Sequence, residues 1–241
     1  MAHQYAEFIY KGKKMPQRKF LYLDLPRKAV VAEIGVFDGE NAKVIMENNP
    51  PREFYLIDPW WKYANYTEME TADINLNQAR EKVYDFFEKK PNVGIIEEFS
   101  VEASQTFENH YFDWVFIDGC HKYESIKMDL AYWLPKLKKG GYLCGHDFSG
   151  IDQWKWEGVH GAVIEFVIKY IEKKPEVIDE LYQTHGKEWY KGITPIKIAE
   201  ILWECKSFKH FQGNARSFKI QVGEWADDLD YEQVIKESHE H

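Results

Sequence analysis

Four acids and two glycines hold most of the chemistry legible in this chain. Glu33, Gly35 and Gly39 lie in the run Val30-Val31-Ala32-Glu33-Ile34-Gly35-Val36-Phe37-Asp38-Gly39-Glu40-Asn41-Ala42, with the pattern E-x-G-x-x-x-G. A glycine lets a backbone approach a ligand with no Cβ in the way, and Gly39 allows a tight entry into a following helix. Asp58, Asp118 and Asp147 each close a short apolar run: Glu53–Asp58, Phe112–Asp118 and Tyr142–Asp147. One acid at such a place is commonplace; four are hard to explain as solvation alone.

The glycine turn admits three readings. A dinucleotide site asks for G-x-G-x-x-G, because the middle glycine admits a pyrophosphate against the helix N-terminus. Phe37 stands at that position and weakens this reading. S-adenosylmethionine (SAM) has no phosphate; Glu33 would help hold its charged amino-acid part, with the turn passing beneath the ligand. The third reading is a tight strand-to-helix turn that binds nothing. Asp58 lies roughly twenty residues past Gly35, where a second-strand carboxylate accepts hydrogen bonds from both ribose hydroxyls of a nucleoside. NAD and SAM both carry such a ribose, so Asp58 indicates a nucleoside without choosing between them.

The surrounding pattern supplies elements to position these residues. β-branched and apolar runs at Val30–Ile34, Glu53–Ile57, Val93–Glu97, Phe112–Ile117 and Tyr142–His146 read as strands. Between them lie helical repeats: Ala42, Ile45 and Met46; then Ile74, Leu76, Ala79, Val83, Phe86 and Phe87, through Lys90; then Ile126, Leu130, Trp133, Leu134 and Leu137, broken at Gly140-Gly141. Ser100 is the expected N-cap of a short helix. An amphipathic helix follows through Val159, Ala162, Val163, Phe166, Val167 and Tyr170. Strands alternating with helices predict a mostly parallel sheet with helices on both faces, and ligands bind such sheets at the strand carboxyl ends. Glu33, Asp58, Asp118 and Asp147 all fall at or near those ends. Thr194-Pro195 predicts a further helix start. Phe208–Phe211 and Ser217–Val222 predict a hairpin around Gly213-Asn214, and Trp60–Tyr66 makes an unusually aromatic loop.

The whole chain narrows the function classes. Its 241 residues suffice for one large α/β domain. A formal net charge of −9 and the lack of a Lys/Arg tract make nucleic acid an unlikely partner. No apolar run approaches the length of a membrane span, and the first residues lack the apolar core of a signal peptide. Cys120, Cys144 and Cys205 are widely spaced and form no C-x-x-C pair, which fits a reducing cytoplasm. The expected division is an N-terminal extension over 1–28, a main domain over 29–225 and a charged tail over 226–241.

EIGVFDGENA, YLIDPW, FDWVFIDGCHKYESIKMDLAYWLPKLKKGGYLCGHDF and the later GVHGAV together resemble a class I SAM-dependent methyltransferase. The third block resembles the branch of macrocin-type O-methyltransferases and cephalosporin-hydroxylase-like proteins. The resemblance implies a Rossmann-like fold: a mostly parallel seven-stranded sheet with helices on both faces and an antiparallel last strand. It implies SAM held by Glu33, Gly35 and Gly39, with Asp58 on the ribose, the Glu97–Ser100 region (Ser100 included) near the adenine, and Asp118 bordering the cofactor. It also implies a divalent metal, usually magnesium, bound by Asp118 and by an acidic pair after the fifth strand. Asp147 matches that pair, and His146 stands at its first position as the third ligand. Relatives often read D-G-D-H where this chain has Asp118-Gly119-Cys120-His121. With no second acid there, His121 is the candidate general base beside Asp118, since an imidazole can take a hydroxyl proton near neutral pH. Local capping or packing is the alternative role for His121.

The expected activity is metal-assisted O-methylation of a small hydroxylated acceptor, a sugar or a secondary metabolite, with homo-oligomerisation left open. A metal-dependent hydroxylase-like enzyme and a non-catalytic SAM-binding module are the alternatives.

Overall fold

The computed structural model describes residues 9–10, 13–14, 21–22, 24–60, 75–148, 157–187, 189–191, 208–211 and 217–240. The expected aromatic loop beyond Trp60, the helix at Thr194-Pro195 and the Gly213-Asn214 turn lie outside them. In chain order the elements are β1 (Val30–Ile34), α1 (Glu40–Asn48), β2 (Glu53–Ile57), α2 (Leu76–Phe87), β3 (Val93–Ile96), α3 (Ser100–Ser104) and β4 (Phe112–Ile117). Then come α4 (Tyr123–Trp133), β5 (Leu137–Gly145), α5 (Glu157–Phe166), α6 (Pro175–His185), β6 (Phe208–Phe211), β7 (Ser217–Gln221) and α7 (Tyr231–Ser238).

Seven strands form one sheet in the order β3-β2-β1-β4-β5-β7-β6. β3, β2, β1, β4 and β5 pair in parallel. β7 runs antiparallel to both β5 and β6. This is the expected Rossmann-like class I methyltransferase fold, with its last strand reversed and the expected hairpin present as β6 paired to β7.

Strand alternation splits the core into two layers. Val30, Ala32 and Ile34 of β1 face α4 and α5, packing with Ile126, Leu130, Trp133, Val159 and Val163. Val31 faces the other way, toward Ala42, Ile45, Val83 and Phe87 of α1 and α2. Trp114 and Trp133 are fully buried, and burial of side chains of this kind contributes about 2–3 kcal/mol each.

Two boundaries differ from expectation. Ser100 does not cap α3: Phe99 occupies that place, with no side-chain cap bond. α4 stops at Trp133 and passes through a 3₁₀ turn, Leu134–Lys136, because Pro135 cannot continue a helix. Leu137 therefore opens β5, and Gly140-Gly141 lie inside that strand, where its pairing with β4 shifts register. Packing also ties residues on either side of the span 29–225 to the sheet. Leu21, Tyr22 and Leu25 are buried in the α1/α2 layer. Val234 of α7 is buried against the α4/α5 layer, while Lys169 Nζ and the Tyr170 hydroxyl both donate to Glu237.

The turn after β1 is fixed by two left-handed glycines. Gly39, at φ +79°, is the N-cap of α1, so the tight helix entry expected there is present. Gly35, at φ +82°, lies against the loop after β4: a Cβ there would meet the Asp118 carbonyl oxygen at 2.3 Å and Gly119 Cα at 2.5 Å. The space beside Gly35 is thus filled by protein backbone. Gly35→Ala should destabilise the fold by about 2–4 kcal/mol. Gly140→Ala, at φ +81° with nothing within 4 Å, should cost only the left-handed strain, about 1–2 kcal/mol. Thermal unfolding of both variants checks this, and equal losses would show that the 118–119 loop yields freely.

Candidate active site at the carboxyl edge of the sheet

β1 and β4 are parallel neighbours, as are β4 and β5. Parallel neighbours lie about 4.8 Å apart, so residues just past Ile117 and Gly145 meet. Asp147 adopts φ +54°, a left-handed conformation that Asp tolerates better than most residues. In that conformation Asp147 Oδ2 stands 3.1 Å from His121 Nε2. The same nitrogen is 4.0 Å from Asp118 Oδ1. His146 also joins the group, its Nδ1 3.1 Å from Asp147 Oδ1 and 3.6 Å from Asp118 Oδ1.

Asp118, His121 and Asp147 each offer a ligand atom, all within 4.8 Å of one another. His121 completes this triad, and His146, expected as the third ligand, stands beside it. Asp118 and His121 do not cap α4, whose N-cap is Lys122.

Electrostatics couples the four groups. Burial disfavours a charged His121, but hydrogen bonds to Asp118 and Asp147 outweigh it and raise the imidazole to about 9. Burial alone would raise Asp147; His121 and His146 instead hold it below the usual carboxylate range. The two acids thus favour the protonated form of the His121 imidazole. Cys120 is half-buried beside it, and Cys144 is buried in the core; neither is disulfide-bonded.

The expected cofactor residues line the neighbouring edge. Asp58 is buried, and burial raises its pKa against the backbone donors of Phe37, Trp60 and Val36. Its Oδ2 accepts from the Phe37 N–H at 2.9 Å and its Oδ1 from the Trp60 N–H at 2.8 Å. Each carboxylate oxygen has a second lone pair, so ribose hydroxyls can still be accepted. Trp60 Nε1 donates back to the Phe37 carbonyl at 2.7 Å, tying the glycine turn to the end of β2. Phe37, at φ +51°, and Phe99 after β3 remain exposed.

Glu97 accepts from Arg80 at 2.5 Å and from the Tyr84 hydroxyl at 2.6 Å. Ser100 points inward: its Oγ accepts from Trp133 Nε1 at 2.9 Å and its hydroxyl donates to Asp129. Ser100's side chain is therefore committed to α4 rather than aimed at a ligand.

Sequence reasoning missed three residues that support this edge. Asp129 is a buried acid behind Gly119. Its signal was a charge on the apolar face of α4, three residues after Ile126 and next to Leu130. Asn41, on the buried face of α1 beside Ala42, donates from Nδ2 to Glu33 Oε1 at 3.0 Å. Tyr22 donates its hydroxyl to Asn41 Oδ1 at 2.6 Å; nothing in its local sequence marked it.

Residues 32–148 match the family model for a methyltransferase domain. No curated protein matches the sequence. Among solved structures, the chain is similar to a Corynebacterium glutamicum protein (11% identity, TM-score 0.49, covering 86% of this chain and 78% of that one). It is also similar to the Streptomyces achromogenes O-methyltransferase TomG, involved in tomaymycin synthesis and solved with SAM (16% identity, TM-score 0.49, 86% and 80%). A third is the Burkholderia thailandensis 1,6-didemethyltoxoflavin N1-methyltransferase, solved with S-adenosylhomocysteine (13% identity, TM-score 0.46, 86% and 77%). The matched residues 32–148 run from within β1 through the Asp118–His121–Asp147 cluster.

Asp129 offers a check on the buried support. Burial raises its pKa from 3.8 to about 7, against the Ser100 hydrogen bond. The folded state therefore holds the proton more tightly than the unfolded one, and this contribution to stability is lost as pH rises from about 4 through about 7. Asp129→Asn should flatten the stability profile across that window, measured by urea unfolding at several pH values. An unchanged slope would place the buried proton elsewhere.

Proposed function

We propose that this chain is a SAM-dependent O-methyltransferase acting on a small hydroxylated acceptor, a sugar or a secondary metabolite, with help from a divalent cation. The observation that carries the reading is the convergence of Asp118, His121 and Asp147 beside the edge formed by Glu33, Asp58 and the glycine turn. That edge suits SAM better than a dinucleotide: Phe37 occupies the place of a pyrophosphate glycine, while Glu33 suits a charged amino-acid group and Asp58 a ribose.

In methyl transfer the sulfonium loses its charge as the acceptor oxygen attacks, so an aligned oxyanion is the main requirement. The donor set fits a cation: two carboxylates and an imidazole with ligand atoms within 4.8 Å of one another, each half-buried. Asp118, His121 and Asp147 would hold it. Bound there, it would lower the pKa of an acceptor hydroxyl. The imidazole favours manganese, iron(II) or zinc over the magnesium of an all-oxygen site. Loading requires the His121 proton to leave; without a cation, that imidazolium itself balances the two acids. The match over residues 32–148 favours methyl transfer over the hydroxylase-like alternative.

Calorimetry should show S-adenosylhomocysteine binding with a Kd on the order of micromolar and no binding of NAD. Asp58→Ala should weaken that binding by about 1–3 kcal/mol; an unchanged affinity would place the ribose elsewhere. Methyl transfer to a panel of hydroxylated acceptors should fall in EDTA and return more fully with manganese or iron(II) than with magnesium. Full activity in chelator, with metal titrations showing no heat, would remove the cation from the mechanism.

A further inference from the structure

Glu33 sits in β1, fully buried, facing the α1 layer. A buried carboxylate needs a donor that stays in place. Asn41 supplies one through Nδ2 at 3.0 Å. An amide side chain can present either end, however, and its oxygen turned toward Glu33 would oppose two acceptors. A carboxylate only accepts, so Glu33 itself selects the Nδ2 end, and the other end is held by Tyr22. Its hydroxyl donates to Asn41 Oδ1 at 2.6 Å, which anchors the amide with Nδ2 on the carboxylate.

Tyr22 is itself held firmly. Its ring stacks on Trp114 at 6.0 Å between centroids and meets Phe116 edge-on at 5.7 Å. The far end of α1 grips the same segment: Asn49 Nδ2 donates to the carbonyls of Tyr22, Leu25 and Pro26 at 2.8, 3.1 and 3.3 Å. Lys219 of β7 reaches Asp24 at 3.4 Å. Asn41 in α1 and Asn49 at its C-cap thus hold the segment, and Asn41 bonds onward to Glu33.

We propose that Tyr22 and Asn41 are positioning residues for the cofactor acid Glu33, so that a segment outside the matched residues 32–148 sets the grip on the amino-acid part of SAM. This rests on the SAM reading above. The relay acts on one end of the cofactor only, and a ligand that lacks that end does not sense it.

The test uses two probes on the full chain, S-adenosylhomocysteine and methylthioadenosine, which has the nucleoside but no amino-acid group. Tyr22→Phe keeps the ring and its stack on Trp114 and removes only the donor. It should weaken S-adenosylhomocysteine about tenfold and leave methylthioadenosine within about twofold. Asn41→Ala should give the same split and serves if Tyr22→Phe does not fold, which thermal unfolding reports. Equal weakening of both probes, or an unchanged S-adenosylhomocysteine affinity in a folded variant, overturns the proposal. A wild-type chain that binds neither probe instead overturns the SAM reading on which it rests.

Discussion

The backbone at Gly35 lies so close to Asp118–Gly119 that a side chain at position 35 would begin 2.3 Å from a carbonyl oxygen. Two parallel strands, β1 and β4, bring these segments together: Asp118 N–H donates to the Ile34 carbonyl at 2.8 Å and Gly35 N–H to the Ile57 carbonyl at 2.9 Å. With the turn and the loop locked against one another, the residues they carry have little freedom. Phe37 and Gly39 follow from the turn, Asp118 and His121 from the loop. His146 N–H, bonded to the Ile117 carbonyl at 3.1 Å, adds the end of β5 to the same frame. The fold thus assembles its functional edge mostly with backbone hydrogen bonds, which survive substitution of most side chains.

That edge concentrates acids, and each is stabilised differently. Asp58 is served by backbone N–H groups of the turn and of its own loop. Glu33 has a side-chain amide whose other end is held by Tyr22. Asp118 and Asp147 share two imidazoles. Backbone donors cannot leave, so Asp58 suits a permanent contact with a nucleoside. Imidazoles can exchange a proton for a cation, so the Asp118–Asp147 pair suits a variable charge near a reacting oxygen. The difference follows from which donors each strand end can reach.

Much of this was legible in the sequence. Runs such as Val30–Ile34 and Phe112–Ile117 are short, apolar and β-branched, and the helices between them repeat at 3.6 residues. Local chemistry of this kind defined the alternation of elements, the parallel sheet, and the placing of Glu33, Asp58, Asp118 and Asp147 at strand ends. Gly39 was readable for the same reason, since a helix entry in the left-handed region demands glycine. The boundary of α4 was misread because Leu134 and Leu137 continue an apolar pattern that fits either a helix or a strand, and the proline between them decided the matter.

Tertiary structure alone decided which side chains meet. Ser100 has the composition of a cap, yet it turns toward Asp129 and Trp133 because α4 packs there and offers partners for both ends of a hydroxyl. His121, rather than His146, completes the triad with the two acids because Asp147 takes a left-handed turn that no local pattern announces. Tyr22 reaches Asn41 because α1 and β7 hold its segment across long stretches of chain. Sequence periodicity reports which face a residue occupies. Which partner waits on that face depends on register and crossover geometry, and those are set by the packing of the whole sheet.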